Sequence, residues 1–576
     1  MELKREIGTI ITQAVLDAGY DLAESFVEVR VTDPEKFGDF STNIALIVAA
    51  RMSQNPLDVA QKIVDRVDVS FTDVLANVTV SAPGFINIEV LVPTLVNRIK
   101  DLPETFGKTD TFAYQKVMVE FTDPNPYKEF HVGHLMPNII GSAIANLFEW
   151  GGAQVLRVNY QGDVGLHVAK SVWGLLEYLK REKVSMSELA TKDITERIAI
   201  LGSCYAQGHK AYASDDTQKN EIIAINKTIY AQKTGDVWDV YHAGRLWSLA
   251  YFETMYERLN THFDEYFFES EVSADGLAIV TAHIADGIFV ESEGAVIYPA
   301  EQFGLHNRVF INSEGLPTYE AKELALSDLK YRRWPYDRSI IVTAHEINEY
   351  FKVLLHAMVR VYPDYAKKTT HIGHGMLDFK GRKMSSRTGD IVRATEIIDT
   401  IREEVGLVIA QSQKSTDSKI SKKDQERIAV SALRYAILRQ SLGKNIVFDL
   451  NSALSFEGDS GPYLQYTYAR ANHVIENARG LDHASNKREL TSCEIALVKS
   501  VVLFPDVVRE AQQSLSPHLV TQYATSLSQQ FNAFYHECRV IEHNTVDSAR
   551  LDLTRAVFVT LGNALDILGI SRLTSM

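Results

Sequence analysis

The stretch VEFTDPNPYKEFHVGHL, Val119 to Leu135, decides how the centre of this chain folds. Its first residues close the apolar run KVMVEF, which predicts a short buried strand. DPNPYKEF follows as a loop, because its two prolines push the residues before them out of helical backbone. HVGHLMPNIIGSAIANLFEW then shows helical periodicity, stopped by Gly151 and Gly152, and AQVLRVNY predicts the next strand. Strand, loop, helix and strand make a βαβ unit, the building block of a parallel sheet that binds a nucleotide at the helix N-terminus. His131 and His134 stand where that helix begins, so two imidazoles and free helix N–H groups converge on a point suited to phosphate. Pro137 is expected in the first helical turn, where its missing N–H has no partner to lose.

A second histidine pair complicates the reading. THIGHGMLDFKGRKMSSRTGD, Thr369 to Asp390, places His371 and His374 only nine residues ahead of Lys383. That leaves no room for a crossover helix, and Gly375 and Gly381 intervene. This pair is expected within or at the end of a strand that feeds the KMSS loop, so His131 and His134 are the working pair. Gly381 and Gly389 flank the KMSS segment, as hinges of a loop that swings Lys383 onto phosphates would. At an α-phosphorus under attack, charge builds on the oxygens, and imidazole N–H groups and an ammonium stabilise it where it develops. Spacing of i, i+3 also suits metal, but no third ligand is evident for His131 and His134.

Composition sets the bounds. The chain has 576 residues, 45% of them hydrophobic and 23% charged, which suits several packed domains. Apolar runs such as NIALIVAA fall short of the ~20 residues of a membrane span. MELKREIGTIITQAV predicts an amphipathic helix with Glu2 and Glu6 among its basic residues, unlike a secretory signal. Cys204, Cys493 and Cys538 are widely spaced and odd in number, which predicts neither a disulfide framework nor structural zinc and fits a reducing cytoplasm. A net charge of −15 weighs against a nucleic-acid partner unless positive charge is gathered locally.

Three domains are expected. Residues 1–108 alternate helical stretches (Leu3 to Ala18, Asn43 to Val67) with strand-like FVEVRV, VTVSA and INIEV, an α+β unit ended by the polar linker LPETFGKTD. Residues 109–410 form a Rossmann-type parallel-sheet domain with a helical insertion at about 170–265 and short strands over 287–320. Residues 411–576 begin with the polar, exposed QSQKSTDSKISKKDQE and are expected to be an all-α helical bundle.

The motifs in this order resemble the class I aminoacyl-tRNA synthetases, and their detail narrows the resemblance to the arginyl-tRNA synthetases. FGDFSTNIAL and APGFINIEV resemble that family's N-terminal domain, and VEFTDPNPYKEFHVGHL its ATP loop. NYQGDVGLHVA, LPTYEAKELAL and KMSSRTGDIV resemble its next strand and turn, its arginine-pocket segment and its flexible loop. GDSGPYLQYTYARANHV and QFNAFYHECRV resemble its anticodon-binding domain, so the likeness covers essentially the whole chain.

The resemblance implies an arginine–tRNA ligase that forms arginyl-adenylate from L-arginine and ATP, with Mg2+, and charges tRNA(Arg). It implies a cytoplasmic monomer with no part for membrane, metal sites or structural zinc. His131, His134, Lys383 and Lys128 become the catalytic candidates, and His131, Gly133, His134, Lys383, Met384, Ser385 and Ser386 the ATP-binding ones. A guanidinium needs carboxylates in a planar, bidentate arrangement. Glu120, Asp123, Asn125, Tyr319 and Glu323 are the arginine-binding candidates, with Asn125 at the α-amino or carboxylate end and Tyr319 and Glu323 at the guanidinium end. The family usually has serine where Asp123 stands and aspartate where Glu323 stands. Thr343 to Leu354 is expected to line the same pocket. Acidic residues outnumber basic ones from Phe456 onward, so RNA contact is assigned to a local surface of Tyr463, Tyr466, Arg470, Tyr535 and Arg539. KMSSR lacks the second lysine of the usual Lys-Met-Ser-Lys-Ser, and Lys128 is expected to replace its charge, with Arg387 as the alternative.

Overall fold

The computed structural model describes the chain except for residues 1, 22–26, 33, 381–392, 413–419 and 485–487. The N-terminal unit is an antiparallel sheet of four strands, β1 (Arg30–Val31), β2 (Phe40–Thr42), β3 (Leu75–Ser81) and β4 (Phe85–Val90), in the order β1-β2-β4-β3. Among its described residues, the FVEVRV stretch contributes its last two to a strand. The expected long helix over 43–67 is two helices, Ile44–Met52 and Pro56–Val64. Ser53 in left-handed backbone ends the first, and the Asn55 cap with Pro56 restarts the second, which no continuous helix could accommodate.

The central unit is built on five parallel strands: β5 (Lys116–Phe121), β6 (Gln154–Gln161), β7 (Glu265–Phe268), β11 (Arg338–Ala344) and β12 (Thr369–His374), in the order β12-β11-β5-β6-β7. Chain direction across the sheet reverses at β5, and the crevice beyond the carboxyl ends there is the usual ligand position. From Val117 onward β5 is buried at every residue, as expected of a strand covered on both faces. The helix Val132–Trp150 lies directly on it, since a Cβ at Gly141 would stand 2.3 Å from the Phe121 side chain. Helices from Leu166 to Arg258 form the insertion between β6 and β7, and β8 (Val290–Ser292), β9 (Ala295–Tyr298) and β10 (Arg308–Ile311) form a small antiparallel sheet.

Pro137 departs from expectation. The helix begins at Val132, so Pro137 sits in its second turn, where an N–H would have bonded the Gly133 carbonyl. Extensive burial on the sheet offsets that loss, because every residue from Leu135 to Ala145 is buried.

The C-terminal domain is mainly helical but not wholly so. β14 (Ile446–Phe448) pairs in parallel with β13 (Leu377–Phe379) of the central unit, and β15 (Asp482–Ala484), β16 (Ile541–Glu542) and β17 (Thr545–Asp547) make a further sheet. These strands are two or three residues long, too short to interrupt a helical period visibly. Arg434 joins the domains: fully buried, it donates to the carbonyls of Leu259 and Leu568 (2.8 Å each) and to Ser142 Oγ (2.7 Å). Two of these acceptors close helices, whose negative dipole ends suit a cation. The linker LPETFGKTD is pinned to the same domain through Thr109 Oγ1 to Gln512 (2.6 Å) and the close approach of Gly107 to the Phe504 ring.

Candidate active site

After β5 the backbone turns sharply through Thr122 and Asp123, both at positive φ. Tyr127 then anchors the loop to the insertion: its N–H donates to Ser248 Oγ (2.9 Å), and its buried hydroxyl donates to the Tyr241 carbonyl. The chain so held reaches His131, which caps the following helix. His131 Nδ1 accepts from the Gly133 N–H (3.1 Å), and His134 Nδ1 accepts from the His131 N–H (3.2 Å), a reciprocal cap made by the motif itself. The rings stack with centroids 3.9 Å apart. A Cβ at Gly133 would stand 2.9 Å from His131 Cε1, so the middle position favours glycine. With both Nδ1 atoms accepting, each neutral ring carries its proton on Nε2. Burial pushes His131 down to about 4 and His134 well below its usual range, so both are neutral donors at pH 7.

Lys128 is half-buried, with Nζ 5.2 Å from the Tyr205 ring centre. Burial, then nearby Lys170, holds its ammonium below the usual lysine range. Arg393, just beyond the KMSS stretch, bridges to the His131 backbone and pairs with Glu129 at 2.6 Å. Lys383, Met384, Ser385, Ser386 and Arg387 lie outside the described residues.

On the other side of the loop stands a carboxylate cluster. Glu120 is buried on β5, and the Lys330 ammonium pairs with its Oε2. Asp123 Oδ1 accepts from the Tyr160 N–H (2.8 Å). Burial, then the charge of Glu120, raises Asp123 well above the carboxylate range and Glu323 to about 8. Glu323, Ser327 and Lys330 follow one face of the helix Tyr319–Arg333, and with Tyr336 and Phe351 they line a small void of about 10 Å³. Asn125 Oδ1 and Glu269 Oε1 approach the same point beside Gly162, where a Cβ would meet them at 2.3 and 3.0 Å. Glu269 is itself buried and paired with Lys322 at 2.6 Å. Tyr319 stands at the rim, 57% exposed. Of the segment expected to line this pocket, Phe351 and Leu354 line the void, Tyr350 feels the charge of Glu323, and Phe351 also stacks on His371 at 3.9 Å.

His371 and His374 belong to β12. His371 bonds Thr343 Oγ1 (2.7 Å), and buried His374 Nδ1 bonds the Gly375 carbonyl (2.6 Å). Neither caps a helix. In the C-terminal domain the Arg470 guanidinium lies between the rings of Tyr466 and Tyr535, 4.6 and 4.9 Å from their centres. Tyr535 and Arg539 are exposed, but Tyr463 is buried and its hydroxyl accepts from Asn532 (2.9 Å).

Sequence reading passed over Lys330, Lys322, Glu269 and His167, the last of which donates from Nε2 to the Gly162 carbonyl (2.9 Å). The spacing of Glu323 and Lys330, two turns apart on one helix face, was the available signal for Lys330. Nothing local marks Glu269, whose partner comes from a distant helix.

Three family profiles match in sequence: an arginyl-tRNA synthetase N-terminal domain over residues 4–90, the catalytic domain of class I tRNA synthetases (R) over 102–450, and a DALR anticodon-binding domain over 464–576. The chain is 28% identical over 557 residues to the arginine–tRNA ligase of Treponema pallidum, covering 94% of this chain and 93% of that one. It is 26% identical to the arginine–tRNA ligase of Borreliella burgdorferi, covering 100% and 99%. In fold it is similar to the arginyl-tRNA synthetase of Thermus thermophilus, with a TM-score of 0.81 at 23% identity and full coverage of both chains. With the catalytic profile alone spanning more than half of its length, the chain belongs to the class I arginyl-tRNA synthetase family.

Proposed function

We propose that this chain activates L-arginine with ATP and transfers it to the 3′ end of tRNA(Arg). The observation that carries this reading is the reciprocal His131–His134 cap and, at the start of the same loop, the carboxylates of buried Glu120 and half-buried Asp123 and Glu323. In the first step an oxygen of the arginine carboxylate bonds to the ATP α-phosphorus as the bond to the bridging oxygen breaks, and pyrophosphate leaves. Charge developing on the α-phosphate meets the Nε2–H groups of His131 and His134. In the second, a ribose hydroxyl oxygen at the tRNA 3′ end bonds to the carbonyl carbon of the mixed anhydride, the bond from that carbon to the phosphate oxygen breaks, AMP leaves, and the hydroxyl proton passes to solvent.

Glu120, Asp123 and Glu323 hold the guanidinium, Tyr319 closes the rim, and Asn125 takes the α-amino or carboxylate end. Lys128, Lys383, Met384, Ser385 and Ser386 act on the phosphates with Gly133, which lets the backbone approach. Mg2+ accompanies ATP as part of the substrate. Tyr466, Arg470, Tyr535 and Arg539 face the RNA, and Tyr463 supports them from below. The enzyme works as a cytoplasmic monomer.

ATP–pyrophosphate exchange with a panel of amino acids, with and without tRNA(Arg), tests the reading. Exchange that depends on arginine, and that becomes substantial only with tRNA(Arg), is expected; exchange with another amino acid would refute the arginine assignment.

A further inference from the structure

Two of the chain's three cysteines, 45 positions apart in sequence, meet in the C-terminal domain. Cys493 lies in the first turn of the helix Ser492–Val502, and Cys538 ends the helix Pro517–Glu537. Their Sγ atoms are 3.3 Å apart. A disulfide bond is about 2.05 Å long, so closure needs an approach of only about 1.3 Å. Both anchors are firm. The Cys538 N–H bonds the Phe534 carbonyl (2.8 Å), and Thr491, whose hydroxyl lies 3.1 Å from Cys493 Sγ and 3.6 Å from Cys538 Sγ, caps the helix that carries Cys493. The two helices also pack against one another. Cys493 is partly exposed, whereas Cys538 is only 2% exposed. A small oxidant reaches the first, and a second protein thiol does not reach the other. Cys204, in the helix Ile194–Ser214, is buried.

We propose that Cys493 and Cys538 form an oxidation-sensitive dithiol that a peroxide converts into a disulfide. The Cys493 sulfur attacks one peroxide oxygen, the O–O bond breaks, and the other oxygen leaves as water, giving a sulfenic acid. The Cys538 sulfur then attacks the Cys493 sulfur, the S–O bond breaks, and the second oxygen leaves as water. The two thiols are oxidised by two electrons, hydrogen peroxide is reduced, and both thiol protons end in the two waters. The bond ties the start of one helix to the end of the helix that carries Tyr535. It closes the intervening chain into a loop, which restricts the unfolded state. The site stands on the geometry of this domain and does not depend on the residue roles proposed for the active site.

The test uses the reduced full-length protein, treated with hydrogen peroxide and then alkylated under denaturing conditions. The expected result is an intact mass lower by about two units before alkylation, a Cys493–Cys538 cross-linked peptide, and one alkylated cysteine, Cys204, all reversed by dithiothreitol. Cys493→Ser and Cys538→Ser each abolish the cross-link. Peroxide raises the thermal midpoint of the wild-type C-terminal domain by roughly 5–10 °C and leaves that of Cys538→Ser unchanged or lower. Progression of Cys493 to sulfinic acid without a cross-linked peptide, oxidation of Cys204 ahead of the pair, or a cross-link that forms only in urea would each overturn the proposal.

Discussion

The Lys330 ammonium pairs with Oε2 of Glu120, two residues 210 positions apart in the chain and each only 2% exposed. A buried pair of this kind costs desolvation on both sides, and its loss on one side leaves a charge without compensation. Lys330→Met is therefore expected to destabilise the protein by about 3–5 kcal/mol. The double variant Glu120→Met/Lys330→Met should regain most of that stability while losing arginine activation. Urea unfolding of the two single variants and the double variant checks this; a double variant no more stable than Lys330→Met would mean that the ion pair is not the source of the loss.

The same pocket predicts a pH dependence of arginine binding. Burial and the Glu120 charge raise Glu323 to about 8 and keep Asp123 high as well, so at pH 7 the empty pocket retains a proton. A guanidinium favours the ionised carboxylates and expels that proton. Below pH 8 arginine affinity should rise with pH, by up to about tenfold per unit, and level off above it. Calorimetric titration in buffers of different ionisation enthalpy at pH 7 should report close to one proton released per arginine. No proton release would show that the carboxylates are already ionised.

His131→Asn and His134→Asn should each slow adenylate formation by roughly 10²–10³-fold with little change in ATP affinity, the signature of a lost transition-state donor. His371→Asn and His374→Asn should leave exchange nearly unchanged. The first of these should still lower stability, because His371 stacks on Phe351 and bonds Thr343. Exchange rates and thermal midpoints of the four variants decide which pair serves the reaction.

Lys128→Ala should slow activation by roughly 10–100-fold, about 1.4–2.7 kcal/mol of barrier. Adding Ser386→Lys should restore much of the rate. Arginine-dependent exchange in the presence of tRNA(Arg) checks both; a harmless Lys128→Ala beside a crippling Arg387→Ala would move the missing charge to Arg387.

The tyrosines of the C-terminal domain should separate by burial. Tyr535, 37% exposed beside Arg470, is expected to raise the KM for tRNA by about tenfold when changed to alanine, the stacking contribution of roughly one base, and to leave the ATP KM unchanged. Tyr463→Ala should instead lower the thermal midpoint, because its ring is core and its hydroxyl holds Asn532. Aminoacylation kinetics with thermal melts of both variants test the division.

What the sequence determined by itself was local. The strand–loop–helix order around His131, the end of that helix at Gly151 and Gly152, and the placing of His371 and His374 in a strand all follow from periodicity and from breakers within about twenty residues. The reciprocal histidine cap is likewise written within four consecutive residues. Tertiary structure decided what distant segments do to one another. Pro137 enters the second turn because the sheet beneath supplies more burial than the lost hydrogen bond costs. The short strands β14 to β17 exist only because partners meet them. The Glu120–Lys330 pair, the Glu269–Lys322 pair and the Cys493–Cys538 contact join residues 45 to 210 positions apart. Contacts of that kind leave no period in the sequence, since their energy depends on where packing brings two side chains and how far it removes them from water.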